Sequence, residues 1–291
     1  MYKIIHKQVI AQDIKKIDIT APAIASKALP GQFVMVTPVE GEHNVPMAII
    51  DSDERRSVIS LLVHEVGPAT RKLGDLSIGE DIYQMVGPLG QSAQMDKYGL
   101  VICVATGIGA AQILPICRGL KKKGNKVIGI VGAKSKKVLM LEAQMRVVCD
   151  EIFITTNDGS YERRGLATGV LKELLDKYTV QRVYAIGSIE MMQAAAQMTK
   201  EKNTALRVTL NPYMVNGLGL CGSCRVKIDG QYRLACVDGH EFDGHLVDYH
   251  DLSQRMNALE PRSWGNQTHL ISPKRPGFTS LVKSLWGSTR K

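Results

Sequence analysis

Three cysteines and an asparagine near the carboxyl end of the chain are spaced as iron ligands would be. The stretch NGLGLCGSCRV places Cys221 and Cys224 three positions apart in a glycine-rich loop, and Cys236 follows after eleven further residues. Plant-type [2Fe–2S] loops run Cys-x4-Cys-x2-Cys with a distant fourth cysteine. Asn216 stands where that pattern has its first cysteine. The spacing predicts a [2Fe–2S] site with Asn216 at the first ligand place.

The glycines of this loop favour a cluster, because a chain that wraps around sulfide needs inward-pointing amides and little side-chain bulk. They are Gly217, Gly219 and Gly222. Two alternatives stay open: zinc held by the three cysteines with His240 or His245, and a disulfide between Cys221 and Cys224. The disulfide is less favoured, since the remaining cysteines resemble buried thiols of a reducing compartment. These are Cys103, Cys117 and Cys149.

A nucleotide site is predicted upstream of the loop from a change in hydrophobic pattern. LVICVA, KVIGIVGA, EIFITTND and RVYAIGS are apolar runs typical of buried parallel strands, and helix-like segments follow them. They predict a doubly wound α/β domain over residues 99–208, with its ligand at the carboxyl ends of the strands. Phosphate binding at the helix after Gly109 and an ordinary tight turn explain the small residues there equally well. The candidate residues are Thr106, Gly107, Gly109, Asn157, Asp158, Gly187 and Met191.

The first 98 residues read as short alternating strands separated by turns. The strands are YKIIHKQVI, KKIDIT, GQFVMVTPV, PMAIIDSD, SVISLLVHEV and EDIYQMV. Strands at this spacing predict a small antiparallel barrel. Residues 64–76, HEVGPATRKLGDL, could offer amides and a hydroxyl to a pyrophosphate, although a plain turn explains them equally well. No Ser-His-Asp or paired-carboxylate arrangement indicates hydrolysis.

The formal charge of +9 is concentrated at the end of the chain, where residues 261–291 carry six cations and no acid. The rest is close to balanced, and aromatic residues make up 5% of the chain, so nucleic acid is not an expected partner. The opening MYKIIHKQVI lacks the apolar block of a signal peptide. No apolar run approaches the roughly 20 residues that span a bilayer. We therefore expect a cytoplasmic protein.

The basic tail, residues 256–291, contains a short amphipathic pattern. Its apolar residues recur at helical spacing, which predicts one apolar helix face. They are Phe278, Leu281, Val282, Leu285 and Trp286. A helix this short needs a surface to lie on. The interpretations are a frayed terminus, a groove in a partner subunit and, least favoured, a membrane surface.

Several longer motifs resemble a known family. They are LNPYMVNGLGLCGSCRV, LACVDGHEFDGHLVDYHDL, TNDGSYERRGLATGVLKEL and GSIEMMQ. Over about residues 1–255 the chain resembles the ferredoxin–NADP reductase superfamily. Within it, the chain is similar to the small subunit of electron-bifurcating NADH-dependent ferredoxin:NADP oxidoreductase, or sulfide dehydrogenase small subunit. The electron-transfer subunit of dihydroorotate dehydrogenase is a related group, with cysteine at the first ligand place.

The resemblance implies FAD in the barrel (1–98), NAD(H) or NADP(H) on the α/β domain (99–208) and [2Fe–2S] in a small C-terminal lobe (209–255). The bifurcating branch has aspartate where this chain has Asn216. Relatives place serine or threonine near the flavin N5, and some place arginine, where this chain has Ala48 and Val45. The residues implied at the flavin are Pro46, Met47, Ala48, Ile49, Val63, His64, Val66, Gly67 and Thr70.

The implied function is that of an NAD(P)H-dependent flavin and iron–sulfur oxidoreductase subunit, whose chemistry belongs to its cofactors and needs no protein acid or base. The implied partners are a large flavoprotein and iron–sulfur subunit of the glutamate-synthase small-subunit type and, through the complex, ferredoxin. One alternative is a docking and electron-relay subunit that keeps the cluster without flavin chemistry. Another is a zinc-stabilised nucleotide-binding regulator. Lys134, Ser135 and Lys136 could accept the 2′-phosphate of NADP, although solvated surface lysines are the favoured interpretation there, and the resemblance favours NAD.

Overall fold

The amino-terminal part of the chain forms an antiparallel barrel. A computed structural model describes residues 2–259 of the protein. The first elements are β1 (Tyr2–Ala11), β2 (Ile14–Thr20), α1 (Pro22–Ala25), β3 (Phe33–Thr37), β4 (Val45–Asp53), β5 (Val58–His64), α2 (Pro68–Asp75), β6 (Asp81–Ile82) and β7 (Gln84–Leu89). Within the described range, the seven strands form one sheet in the order β6-β1-β2-β5-β4-β3-β7, nearly closed into a barrel.

Strand β5 is apolar almost throughout because both of its faces are covered. Successive side chains of a strand point to opposite faces. Leu61 and Val63 therefore lie in the barrel core, whereas Leu62 packs against the following domain. The same alternation in β4 places Ile49 in the barrel core and Ile50 against the following domain. The barrel thus presents a second apolar face to its neighbour.

The second part of the chain is an α/β domain. Its elements are β8 (Leu100–Thr106), α3 (Gly109–Lys122), β9 (Lys126–Ala133), a 3₁₀ turn (Lys136–Val138), α4 (Glu142–Val148), β10 (Glu151–Thr156), β11 (Arg163–Arg164), α5 (Ala167–Lys177), β12 (Arg182–Ile186), α6 (Ile189–Glu201) and β13 (Ala205–Thr209). The strands pair in parallel in the order β11-β10-β9-β8-β12-β13. Because β8 lies between β9 and β12, the connections run in opposite directions on its two sides. This change of direction opens a crevice at the carboxyl ends of the strands.

The third part of the chain packs against both of the others. Its elements are β14 (Arg225–Ile228), β15 (Gln231–Leu234), α7 (Ala235–Asp238), β16 (Glu241–Asp243) and α8 (Tyr249–Leu259). β14 and β15 form a hairpin, and β16 pairs antiparallel with β13 at the edge of the α/β sheet. The loop before β14 lies on the barrel, where a Cβ at Gly217 would press on Met35 and Leu89.

The predicted fold class is confirmed: an antiparallel barrel, a parallel-sheet domain and a small C-terminal lobe. The segment EDIYQMV, predicted as one strand, forms β6 and β7. They separate at Tyr83, whose amide donates to the Pro38 carbonyl (3.1 Å). The divisions at 98/99 and 208/209 stay predictions. No helix between residues 2 and 259 is long and apolar enough to cross a membrane. The amphipathic pattern at 278–286 lies outside the described residues.

Candidate functional site

A cavity of about 620 Å³, here called the sheet-edge cavity, lies at the carboxyl ends of the parallel strands. Four of the predicted nucleotide-binding residues line it: Thr106, Gly107, Asn157 and Met191. The cavity therefore lies where β8 and β10 end and α6 begins. These are positions that the sequence predicts to bind a nucleotide. It also has lining residues outside the predicted set, among them Lys134, Leu166, Thr168, Ser188 and Glu190.

The other predicted residues of this domain lie beside the sheet-edge cavity and do not line it. Gly109 and Gly187 are required by close packing, because a Cβ would collide with the Ile186 carbonyl oxygen at position 109 and with the Thr106 hydroxyl at position 187. Asp158 accepts a hydrogen bond from a backbone amide (2.9 Å) in the loop after β10. Their direct contact with a nucleotide stays a prediction.

A second cavity, here called the barrel-side cavity, has a volume of about 260 Å³. All three parts of the chain contribute to it. The predicted flavin residues that line it are Pro46, Met47, Ala48, His64, Val66 and Thr70. Lining residues outside the predicted set are Phe33, Ile50 and Leu62 from the barrel, Ile108, Ala111 and Gln112 around the start of α3, and Asn211, Pro212, Met214 and His240 from the third part.

The remaining predicted flavin residues are placed differently. Ile49 and Val63 belong to the barrel core, so only their backbone atoms are available to a ligand outside it. Gly67 caps α2: its amide donates to the Thr70 hydroxyl oxygen, and that hydroxyl donates to the Gly67 carbonyl, both at 3.0 Å. The first amides of a helix have no intrahelical partner, so this turn suits an anion such as a pyrophosphate.

The two cavities meet. His64, the last residue of β5, and Ile108, just before α3, line both of them. A ligand at the carboxyl ends of the α/β strands and a ligand on the barrel would therefore share these two side chains as neighbours. That arrangement would bring a nucleotide on the sheet next to a group held on the barrel.

Two of the three predicted cysteine ligands are already in contact. The sulfur atoms of Cys224 and Cys236 are 3.3 Å apart in the apolar interior. Burial, followed by the neighbouring Cys224 thiol, raises the pKa of Cys236 to about 11. No disulfide joins any of the six cysteines, all of which lie in the described part of the chain.

Cys221 lies at the surface end of the same loop. Its sulfur is 3.2 Å from the Ser223 hydroxyl oxygen and 3.6 Å from the side-chain oxygen of Asn216. The Ser223 hydroxyl and then the nearby backbone amides lower the pKa of the Cys221 thiol to about 7. The Asn216 oxygen also accepts a hydrogen bond from the Leu218 amide (3.0 Å). Asn216 thus presents its oxygen beside Cys221, at the place predicted for the first ligand.

Neither candidate zinc histidine joins the cysteines. His240 lines the barrel-side cavity with its ring centroid 5.5 Å from that of Phe33, and a ring nitrogen of His245 is 2.9 Å from the Thr199 hydroxyl oxygen. Across residues 2–259, no three His, Cys, Asp or Glu side chains are grouped as a metal site. For three thiolates to bind together, Cys221 has to turn from Ser223 toward the buried pair.

The loop nevertheless fits an iron–sulfur cluster in its donor chemistry. It supplies two thiols in contact, a third thiol whose pKa is lowered, and an amide oxygen. Gly217 and Gly219 have positive φ angles of 71° and 78°, a conformation that side-chain-bearing residues rarely adopt. The barrel-side cavity and the Gly67 turn likewise offer an apolar slot and an anion site, which together suit a flavin nucleotide.

Comparison with known proteins agrees with this geometry. A family model described as the iron–sulfur cluster binding domain of dihydroorotate dehydrogenase B matches residues 211–248. The chain is 34% identical over 254 residues to the homologue of the dihydroorotate dehydrogenase B (NAD(+)) electron transfer subunit from Thermotoga maritima, covering 87% of this chain and 90% of that protein. The chain belongs to this family of electron transfer subunits. It is also 36% identical over 268 residues to an uncharacterized protein of Clostridium beijerinckii, covering 89% and 90% of the two chains.

A solved structure supports the same relationship. It is that of the NADH-dependent reduced ferredoxin-NADP oxidoreductase, described for its insights into flavin-based electron bifurcation. Its TM-score is 0.85 at 32% identity, covering 89% of this chain and 94% of the solved one. The suspected relationship to the ferredoxin–NADP reductase superfamily is thereby confirmed. The electron transfer subunit therefore carries a cluster-binding domain at the loop described above.

Replacing Cys236 tests the ligand assignment. We expect the iron content of Cys236→Ala to fall from about two irons per chain to almost none, because the lost thiolate leaves iron under-coordinated in a loop with no spare cysteine. Iron analysis and the visible spectrum of anaerobically purified protein measure this. Cys149→Ala is the matched control, since Cys149 lies in a different core cluster. Two irons and an unchanged spectrum in Cys236→Ala would show that the assignment is wrong.

Proposed function

We propose that this subunit exchanges hydride between a nicotinamide and FAD and passes single electrons through a [2Fe–2S] cluster to a partner subunit. The observation that carries the proposal is the meeting of the sheet-edge and barrel-side cavities at His64 and Ile108. Hydride transfer requires the two reacting rings to be adjacent, and these side chains border both sites. The cluster loop contributes Met214 to the barrel-side cavity, which connects that cavity to the cysteines.

The nucleotide is held at the ends of β8, β10 and α6. Thr106 and Asn157 supply polar groups, and Ser188 caps α6 by accepting a hydrogen bond from the Met191 amide (3.2 Å). We assign NAD(H) as the nucleotide, because the name of the Thermotoga relative gives NAD(+) alone, whereas the name of the solved oxidoreductase includes both NADH and NADP. Lys134 lines the same cavity and is the residue available for a 2′-phosphate if NADP(H) binds instead.

The flavin is held by the barrel through apolar contacts and the Gly67 turn. Ala48 offers no hydroxyl to the isoalloxazine, so polar recognition at this position has to come from backbone atoms. This departure from relatives motivates the alternative function, an electron-relay subunit that keeps the cluster without flavin chemistry. Cysteines without disulfide bonds suit a reducing compartment, and we assign the cytoplasm.

Cofactor analysis separates these functions. Anaerobically purified protein should contain FAD and about two irons per chain, with flavin bleaching on addition of NADH. Iron without flavin would support the relay function and overturn hydride exchange. Zinc without iron would overturn both and support a nucleotide-binding regulator. Absorbance, metal analysis and identification of co-purifying subunits give all three results from one preparation.

A band of exposed aliphatic residues on the cluster loop suits a protein partner. Leu220 is 81% exposed and Val215 is 60% exposed, and both share the loop with exposed Cys221. Apolar side chains beside the exposed Cys221 allow a second redox protein to pack there and exclude water at the point where electrons would leave the cluster. We propose that this surface binds a large flavoprotein and iron–sulfur subunit of the glutamate-synthase small-subunit type. Electrons would pass through that subunit to and from ferredoxin, and electron bifurcation would take place in the complex of the two subunits.

Leu220→Asp tests that surface. We expect at least roughly tenfold weaker binding to the co-purifying large subunit, because a charge replaces an apolar contact at the interface. Iron and FAD content should stay at the parent level. Val147→Asp is the control, since Val147 is 86% exposed on α4, away from the loop. Equal affinity of Leu220→Asp and the parent, measured by interferometry, would refute this docking surface.

The amide at position 216 should raise the reduction potential of the cluster. A neutral oxygen in place of a thiolate removes one negative charge from the iron ligands and stabilises the added electron. We therefore expect Asn216→Cys to lower the potential by on the order of 100 mV, measured by EPR-monitored redox titration. Asn216→Asp restores the negative charge and should also lower the potential. A potential of Asn216→Cys equal to or above that of the parent would contradict the charge argument.

A further inference from the structure

His240 is a buried histidine to which the proposed function gives no role. It lines the barrel-side cavity and is only 4% exposed. It comes from the cluster-binding part of the chain, four residues after the cysteine at position 236. A buried polar side chain that lines a ligand cavity needs a hydrogen-bonding partner, or its burial costs stability.

The other polar side chains of this cavity are mostly paired within the protein. Gln112 and Asn211 exchange two hydrogen bonds of 2.9 Å. The Thr70 hydroxyl is bonded to Gly67. The Gly31 backbone carbonyl lies within reach of the His240 ring as a hydrogen-bond acceptor. One carbonyl can engage one ring nitrogen, so the other nitrogen is available to an occupant of the cavity.

The ring is uncharged at neutral pH. Burial lowers the pKa of His240 to about 4, and the Gly31 carbonyl acts in the opposite direction without overcoming it. A neutral imidazole has one N–H donor and one lone pair. With the donor directed at the Gly31 carbonyl, the second nitrogen is an acceptor.

The backbone around His240 is fixed by the α/β sheet. Its carbonyl accepts a hydrogen bond from the Leu210 amide (3.0 Å), and the next residue, Glu241, pairs with Thr209. Its ring lies against Phe33, with 5.5 Å between the ring centroids. The imidazole is therefore held in place by two different parts of the chain before any ligand binds.

We propose that His240 is the side chain through which the cluster-binding part of the chain contacts the flavin and sets its reduction potential. This inference rests on the proposed function, because it requires FAD in the barrel-side cavity. Reduction adds electrons and a proton to the flavin ring. A fixed hydrogen-bond acceptor in an apolar site therefore interacts differently with the oxidised and the reduced flavin. Such differential hydrogen bonding shifts a potential without any side chain changing its charge. His240 is a positioning residue and does not react.

The test compares His240→Phe, which keeps an aromatic ring against Phe33 and removes both nitrogens, with His240→Gln, which keeps an acceptor. The fraction of reduced flavin is measured spectroscopically in a fixed NADH/NAD⁺ mixture. We expect the reduced-to-oxidised ratio to change about fivefold in His240→Phe, the equivalent of one hydrogen bond, and to return toward the parent value in His240→Gln. Iron content should not change in either variant. His250→Phe, the same replacement at an exposed histidine of α8 that lines neither cavity, is the control and should match the parent.

The outcomes separate this inference from the function on which it rests. A parent protein without FAD would overturn both. A parent protein with FAD whose flavin ratio is unchanged in His240→Phe would overturn the role of His240 alone. If His240→Phe does not fold, ¹⁵N-histidine spectra of the parent decide: a ring-nitrogen resonance that is lost in His240→Gln should move when FAD is added to flavin-depleted protein. An unmoved resonance would overturn the proposal.

Discussion

The packing of the barrel's outer face on helix α3 is the interaction on which the candidate site depends. Ile50 and Leu62 from the barrel share one apolar cluster with Ala111 and Ile113 of the helix. Burying a large aliphatic side chain contributes about 1.5–3 kcal/mol, so this contact holds the two domains in a fixed relation. Ile108, at the start of α3, consequently lies at the junction of the two cavities. Without this contact, a nucleotide on the sheet and a ligand on the barrel would have no defined distance between them.

A second shared core ties the cluster loop to the same framework. Phe33 and Met35 of the barrel lie in one apolar cluster with Met214, Cys224 and Cys236. Two of the predicted cluster ligands are thus positioned by core packing, while the third cysteine and the asparagine lie on the surface side of the loop. Low dielectric around the buried pair makes local charges and hydrogen bonds count more than they would in water. The potential of a bound cluster is therefore sensitive to single side chains.

The sequence predicts those parts of the fold that depend on local pattern. LVICVA and KVIGIVGA form β8 and β9 because a strand covered on both faces must be apolar throughout. The hairpin of β14 and β15 was missed, although Asp229 and Gly230 stand at its turn with φ angles of 49° and 73°, a recognisable hairpin signal. Gln112 and Asn211 are 99 residues apart, and no local pattern foretells their pairing. The contribution of His240 to the cavity is non-local for the same reason.

The pairing of β16 with β13 has a consequence for biosynthesis. Until residues 241–243 have left the ribosome, one edge of the α/β sheet presents unpaired backbone groups, and such edges invite association with other chains. The nascent nucleotide domain is therefore complete only after all three cysteines of the loop have been synthesised. Completion of the sheet and synthesis of the predicted iron ligands fall in the same late interval of translation. A chaperone that shields the open edge would then also be next to the cysteines.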